Sequence, residues 1–371
     1  MKSVLIYSGN NQRAVVAFCR YAKKASLNFY IIANGEDDTI YNTEHSKNII
    51  LTREKNKLSI ESVIENCQLV KRISKYDKLI ILPSTEFLNR FLLDNREQLL
   101  SLNIEIGLCE KNIYETISDK YSFGKLCEKH GINIPKEINA QPTTFPFIVK
   151  PKQFRKNNQT LNEKPAIILN QKQLEDYFLS KEKQDYYYQE YIGGNSYYLL
   201  YYVFKDGRYS CFSQENLIQQ HNGGSIILCN SSDFHKNEYA HSLANLFIEN
   251  KFFGLVMVEI KAFSNSYYMI EANPRLWGPS QLILDSNMNL FDCFALENDL
   301  ISESTSKEEY KENQFYFWSG GLIDNQNNKK QPIIYNFEKE NFLNYYHEII
   351  NNEVYNKTDT RDIFLKENKH E

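Results

Sequence analysis

Paired cysteines are the first thing this 371-residue sequence lacks. Its seven cysteines lie singly, at 19, 67, 109, 127, 211, 229 and 293, with no C-x-x-C spacing and an odd count. That pattern supplies neither a disulfide framework nor a zinc site, and it fits a reduced, cytoplasmic setting. The seven histidines form no H-E-x-x-H. No segment approaches the ~20 apolar residues that span a bilayer. The opening "MKSVLIYSGN" holds only a four-residue apolar run, which reads as a first strand and not as a signal peptide. Gly9 stands alone after that strand with no G-x-G-x-x-G around it, which argues against a dinucleotide site and an oxidoreductase. A basic excess is also missing. The net charge of −4 speaks against nucleic acid as a main partner, and the many Tyr and Phe residues are not set among Lys/Arg clusters.

What is present is length enough for two or three domains and an ordinary globular composition, 42% apolar and 24% charged. The runs "SVLIYSG", "NFYIIAN", "NIILT", "KLIILPS" and "IEIGL" read as short strands. Helical patterns lie between them, such as Arg13 to Lys24 with Val15, Val16, Phe18, Cys19 and Ala22. This alternation predicts a parallel sheet covered by helices. Ligands in such sheets bind at the C-terminal ends of strands, which here offer Ser8-Gly9-Asn10 and Ser84-Thr85-Glu86. Thr85 and Glu86 serve equally well as turn residues capping the helix from Phe87.

Further on, Val256 to Ala262 and Tyr267 to Asn273 alternate with period two around Ser264-Asn265-Ser266, the pattern of a hairpin. With the turn centred on Asn265, Phe263 faces Tyr267, Glu259 faces Glu271 and Met257 faces Asn273. One face then carries Val256, Val258, Ile260, Ala262, Tyr268, Ile270 and Ala272 as a core face. The other gathers Glu259, Glu271 and Asn273. Opposed like charges destabilise a strand pair. A divalent cation removes that objection, because Mg²⁺ takes hard oxygen ligands, usually one or two carboxylates with phosphates and waters. An ordinary solvated face, with Lys261 screening the acids, is the alternative. Pro274 ends the strand. Arg275 then emerges at its tip, where a guanidinium can neutralise a transferring phosphoryl group.

The stretch "MVEIK…YYMIEANPRLWG" resembles the metal-binding hairpin of the ATP-grasp superfamily, especially members similar to carbamoyl-phosphate synthetase and biotin carboxylase. The resemblance implies Glu259, Glu271 and Asn273 as ligands of Mg²⁺ (or Mn²⁺) against ATP, with Arg275 in the reaction site. "ISDKYSFGKLCEKHGINIPK" is similar to a family segment whose lysine, here Lys120, reaches the ATP phosphates. "FPFIVKPK" is a short strand ending in two lysines, and it resembles the family strand whose lysine, here Lys150, contacts the α- and β-phosphates. The family's glycine-rich phosphate lid is replaced by a glycine-free stretch, 153–165, in which Arg155 and Lys156 stand in its place. "QEYIGG" resembles the adenine hinge, which assigns Gln189, Glu190, Tyr191 and Ile192 to the adenine edge, and Ser196 stands near the place of the ribose contact. His221 with Gly223, Gly224 and Ser225 looks like the substrate loop, whose backbone amides hold an acyl phosphate oxyanion. Thr85 and Glu86 fall to the acceptor substrate.

The resemblance thus implies mixed α/β and α+β architecture, an ATP-grasp fold with an N-terminal parallel-sheet domain. The divisions are an N-terminal α/β domain over 1–112, a small lid subdomain over 113–192, and a large subdomain over 193–371 with an extension from about residue 300. The implied activity is an ADP-forming ligase joining a carboxylate to an amine or thiol through an acyl phosphate. Its cofactors are ATP and Mg²⁺ (or Mn²⁺) and its partners are small molecules, with no nucleic acid and no membrane. A homodimer is common among similar enzymes. A kinase acting on a small-molecule acceptor and a non-catalytic ATP-binding module are the alternatives.

Overall fold

The computed structural model describes residues 2–368 apart from 75, 77, 154, 157–158, 161–164 and 306–307. The five β-rich runs at the N-terminus form one parallel sheet. Its order is Ile49–Arg53, Phe29–Asn34, Ser3–Tyr7, Leu79–Ile81 and Ile104–Glu105. Strands buried on both faces read as continuous apolar runs, and the central one shows why. Val4 and Ile6 pack with Val15 and Phe18 of the helix Gln12–Lys24, whereas Leu5 and Tyr7 pack with Val63 and Cys67 of Ile60–Ser74 on the other side.

A four-stranded antiparallel sheet follows, ordered Ala166–Ile168, Phe147–Pro151, Tyr186–Glu190 and Glu137–Ile138. It has its own small core of Phe147, Val149, Ile168, Leu174 and Tyr186. The third sheet is built on Ser266–Asn273, Gly254–Phe263, Asn195–Val203, Tyr209–Gln219 and Ile226–Ser232, in that order and antiparallel. Leu200 and Tyr202 join the core of the first helix, and Leu199 and Tyr201 join the opposite one, so this sheet and the parallel sheet share both cores.

The C-terminal stretch is part of that sheet. Phe315–Phe317 extends it beside Ile226–Ser232, and Ile333–Ile334 pairs with Ile218 and Gln219. The tail is also tied back to the first helix, where the Arg20 guanidinium donates to both carboxylate oxygens of Asp359 at 2.8 and 2.9 Å. Among the described residues no helix is long and apolar enough to cross a membrane.

The hairpin corrects one expectation. Met257 faces Asn273 and Glu259 faces Glu271, as the alternation predicts, but from Ile260 onward the register shifts and Phe263 pairs with Ser266 instead of Tyr267. The turn is the two residues Ser264 and Asn265, both at positive φ (50° and 59°), as the preferred two-residue hairpin turn requires. The extra residue is absorbed as a bulge at Ile270. The bulge reverses the faces beyond it. Met269, not Ile270, enters the core at 2% exposure, while Ile270 lines the cleft described next.

Candidate functional site

A cleft of about 970 Å³ opens where the three sheets meet. Its centre is the acidic end of the hairpin. Adjacent strands bring Glu259 opposite Glu271, and Asn273 follows on the same face by the period of two. Asn273 Nδ2 donates to Glu271 Oε1 at 2.9 Å, and Arg275 Nη2 donates to Asn273 Oδ1 at 2.7 Å. Lys120, in the first turn of Lys120–Lys129, sets its Nζ 2.8 Å from Glu271 Oε2. Lys150 comes from the small sheet and donates to the carbonyl of Ile270 at 3.0 Å, so the bulge supplies its acceptor. Glu259 is 9% exposed and has no hydrogen bond or ion pair with any described residue.

The electrostatics follow from this arrangement. Burial pushes the Lys150 ammonium down to about 8, with Glu271 opposing and Lys120 adding to the fall. For Lys120 burial works in the same sense, but the bonded Glu271 outweighs it and the proton is held more tightly than usual. Burial alone would raise Glu271, yet the Lys120 ammonium and the Asn273 amide hold its carboxyl below the ordinary range. Glu259 goes the other way: burial raises it, Lys261 partly offsets this, and Glu271 adds to the rise. A buried carboxylate without a partner, as Glu259 is, is costly, and Glu259 and Glu271 with the Asn273 amide oxygen make a hard-oxygen donor set. Among the described residues no three His, Cys, Asp or Glu side chains converge, so the set is two carboxylates and one amide. These groups fit Mg²⁺ or Mn²⁺ better than a softer metal.

One end of the cleft is apolar. Ile148, Ile167 and Ile270 line it together with Gln189, Glu190, Tyr191 and Ile192. Ile148 and Lys150 share a strand face two residues apart, a signal that the sequence carries. Gln189 is buried; its Nε2 donates to the Pro135 carbonyl at 3.0 Å, and its Oε1 has no partner among the described residues. Ser196 is not in the cleft. It is fully buried and accepts from Asn216 Nδ2 at 3.0 Å, although it stands opposite Lys261 and two residues from Tyr198, both of which line the cleft. The polar groups that do line this end include Lys261 and Tyr335, whose ring lies 3.8 Å beneath the Lys261 ammonium. Tyr335 donates to Gln219 Oε1. Nothing local in the sequence marks Tyr335, since the pairing of Ile333–Ile334 with a distant strand carries it there.

The other end lies over the parallel sheet. Thr85 and Glu86 both line it. Thr85 also caps its helix, accepting from the Leu88 amide at 3.2 Å, as the capping reading expects. Gly223, Gly224 and Ser225 line the cleft, whereas His221 is exposed and lies off it. The Gly224 and Ser225 amides are already used inside their own turn, by the Gln220 and His221 carbonyls and by Gln220 Oε1, which corrects the expectation of free amides there. Arg13 and Arg53 also line this end and were not singled out from sequence, although both stand at or just after strand ends, where such sheets bind ligands. Arg13 donates to the Ile226 carbonyl and the Tyr316 hydroxyl and lies 3.7 Å over the Trp318 ring. Gly278 leaves room for it, since a Cβ there would sit 3.1 Å from Arg13 Nη2. The lid substitutes Arg155 and Lys156 form a two-residue strand with Gln159–Thr160, and the rest of that expectation falls largely outside the described residues.

No protein-family model matches the chain, and no curated protein matches it. Solved structures do. The chain is similar to the biotin carboxylase domain dimer of Hydrogenobacter thermophilus 2-oxoglutarate carboxylase in complex with MgADP, ADP and bicarbonate, at TM-score 0.61 and 13% identity over 85% of this chain and 73% of that one. It is similar to L-amino acid ligase from Bacillus licheniformis, at TM-score 0.57 and 13% identity over 85% and 78%. It is also similar to N5-carboxyaminoimidazole synthetase from Staphylococcus aureus, at TM-score 0.62 and 17% identity over 88% and 85%.

Proposed function

From the ATP-grasp fold that this chain adopts, we propose an ATP-dependent ligase that joins a small carboxylate to an amine or thiol through an acyl phosphate, releasing ADP and phosphate. The observation that carries this reading is the convergence of Glu259, Glu271, Asn273 and Arg275 from one hairpin with Lys120 and Lys150 from two other elements. Two of the structural neighbours fit it by name, one an amino acid ligase and one a synthetase, and a third holds MgADP and bicarbonate.

Adenine fits the apolar end between Ile148, Ile167 and Ile270, where the unpartnered Gln189 Oε1 would accept from its amino group. The triphosphate then runs toward the hairpin, and Lys150 and Lys120 neutralise it as point charges. Glu259, Glu271 and Asn273 would hold Mg²⁺, which supplies charge neutralisation on the β- and γ-phosphates. Lys120 exchanges Glu271 for phosphate oxygens on binding. A substrate carboxylate attacks the γ-phosphorus, the bond to ADP breaks, and Arg275 stabilises the acyl phosphate. The amine or thiol then forms its bond to the acyl carbon as phosphate leaves. No protein nucleophile takes part; the residues position and neutralise.

The test uses hydroxylamine as a general nucleophile. Purified protein with ATP and Mg²⁺ is offered pools of small carboxylates, and hydroxamate, ADP, AMP and phosphate are measured. Hydroxamate and ADP from a particular pool, absent in Glu271→Gln, is the expected result. AMP with pyrophosphate overturns the acyl-phosphate route. ADP with a phosphorylated acceptor and no hydroxamate replaces it with a kinase.

A further inference from the structure

The cleft end over the parallel sheet holds two oppositely charged side chains with unused hydrogen-bonding capacity. Glu86 gives one oxygen, Oε1, to Arg90, which donates from Nε and Nη2 at 3.1 and 3.0 Å. Its Oε2 has no partner among the described residues. Arg90 is itself buried at 3% exposure and bonded to Ser118 and Asp119, so Glu86 is held from behind and cannot swing freely. Arg53 stands at the end of an outer strand. Its Nη1 donates to the Lys57 carbonyl at 2.9 Å and its Nη2 to the Ser8 carbonyl at 3.4 Å, one bond each, while Nε is buried without a partner.

The strand order sets how these two side chains are arranged. Ser8 follows the central strand, so the Arg53 guanidinium reaches over that strand's end. Glu86 follows the neighbouring strand on the far side. An α-amino acid carries the complementary pair of charges, a carboxylate for the guanidinium and an ammonium for the carboxylate. Arg13, the other cation at this end, is tied to Ile226, Tyr316 and Trp318. The polarity has a sense as well. Glu86 is the charge nearer the reaction centre, since the Arg90 that holds it also bonds Asp119, the neighbour of Lys120, and Arg53 is the distal one.

We propose that Arg53 and Glu86 form a zwitterion subsite that takes the amine substrate as a free α-amino acid, its carboxylate on Arg53 and its ammonium on Glu86. This rests on the ligase reading, because it names the second substrate of the same cleft. The amino group is thereby presented toward the phosphoryl end, where the acyl phosphate forms.

Calorimetric titration tests it, with Mg²⁺ and a non-hydrolysable ATP analogue present. The probes are the common L-amino acids, each with its α-amide and its N-acetyl derivative. The expected result is binding of at least one free amino acid, with both derivatives weaker by roughly tenfold or more, the effect of losing one charge-assisted hydrogen bond. Arg53→Met is expected to erase the preference for acid over amide, and Arg53→Lys to retain it. Glu86→Gln is expected to erase the preference for the free amine over the N-acetyl form. Binding of no amino acid, or derivatives that bind within about threefold of their parents, overturns the subsite. Hydroxamate formation needs no amino acid amine. Its presence without amino-acid discrimination sinks this inference alone, and its absence with discrimination intact sinks the ligase reading alone.

Discussion

Glu259 and Glu271 face each other in the hairpin, yet replacing them one at a time with glutamine is expected to move stability in opposite directions. Without metal, Glu259 is a buried carboxylate with no partner, set against a second acid. Opposed like charges cost ~0.2–1 kcal/mol in a sheet, and a buried unsatisfied polar group costs ~1–3 kcal/mol, more when it is charged. The glutamine amide still lacks partners of its own, so Glu259→Gln is expected to stabilise the metal-free protein by ~1 kcal/mol. Glu271 is different, because Lys120 lies 2.8 Å from one oxygen and Asn273 donates to the other. Hydrogen bonds to charged groups are worth ~1.5–3 kcal/mol. Both side chains of the Lys120 pair are about a fifth exposed, which puts this one at the low end. Relief of the Glu259 repulsion returns part of that, so Glu271→Gln is expected to destabilise by ~1 kcal/mol. Urea unfolding in chelator reads the two signs. Saturating Mg²⁺ and a non-hydrolysable ATP analogue should then raise wild-type stability by ~2.7 kcal/mol at a hundred times Kd, and neither variant should show that gain. Shifts of the same sign in chelator refute the electrostatic account of the site, whatever the activity.

Three other outcomes follow from single contacts. Lys150 sits near pH 8 in the free protein, and bound phosphates favour its charged form, so ATP affinity should weaken as pH rises past 8, by up to ~10-fold per unit; a titration of Kd against pH reads this, and Lys150→Arg should flatten it. Asp359 is held below the usual carboxylate range, against the pull of burial, by His45 and Arg20. Its contribution is therefore complete above the unfolded value of ~3.9 and is lost as pH falls below it. Asp359→Asn should lower stability at pH 7 by ~1.5–3 kcal/mol and blunt acid unfolding, as read by melts from pH 7 downward. Ser196→Ala should leave the Kd for ATP unchanged while costing ~1–3 kcal/mol of stability through the stranded Asn216 amide, and Tyr335→Ala should do the reverse and weaken nucleotide binding.

These contrasts also mark how far the sequence could be read. Whatever is local in period or spacing was legible. The five buried runs gave the parallel sheet, and alternation put Glu259, Glu271 and Asn273 on one face at the right register. What failed was set by contacts remote along the chain. The bulge at Ile270 leaves no trace in an alternating pattern, because both Met269 and Ile270 are apolar and either could face the core. Ser196 occupies a position at which a ribose contact is expected and shares a strand face with the cleft-lining Tyr198, but Asn216, twenty residues on, takes its hydroxyl. Tyr335 arrives from more than a hundred residues beyond Gln219. Arg53 is different in kind, because it closes the third strand, where the rule that ligands gather at strand ends points as directly as it does to Ser8 and Thr85.

The same comparison bears on which parts of the cleft can vary. The hairpin proposed to hold the metal depends on one turn, one bulge and one two-residue repeat, so a short stretch of chain specifies it. The acceptor end is assembled from Arg53, Ser8, Glu86 and the Arg90 cluster behind it, four points of the parallel sheet that no single motif ties together. These strand ends also touch the end of the hairpin, where Asn89 Nδ2 donates to the Pro274 carbonyl, the Leu276 amide donates to the Pro83 carbonyl, and Asn11 Nδ2 bridges the Ser84 and Leu276 carbonyls. A change at the acceptor end therefore reaches the hairpin through three hydrogen bonds as well as through the shared cores. The likeness to biotin carboxylase, amino acid ligase and carboxyaminoimidazole synthetase structures is one of fold, at 13–17% identity, and the amine proposed above rests on Arg53 and Glu86 themselves.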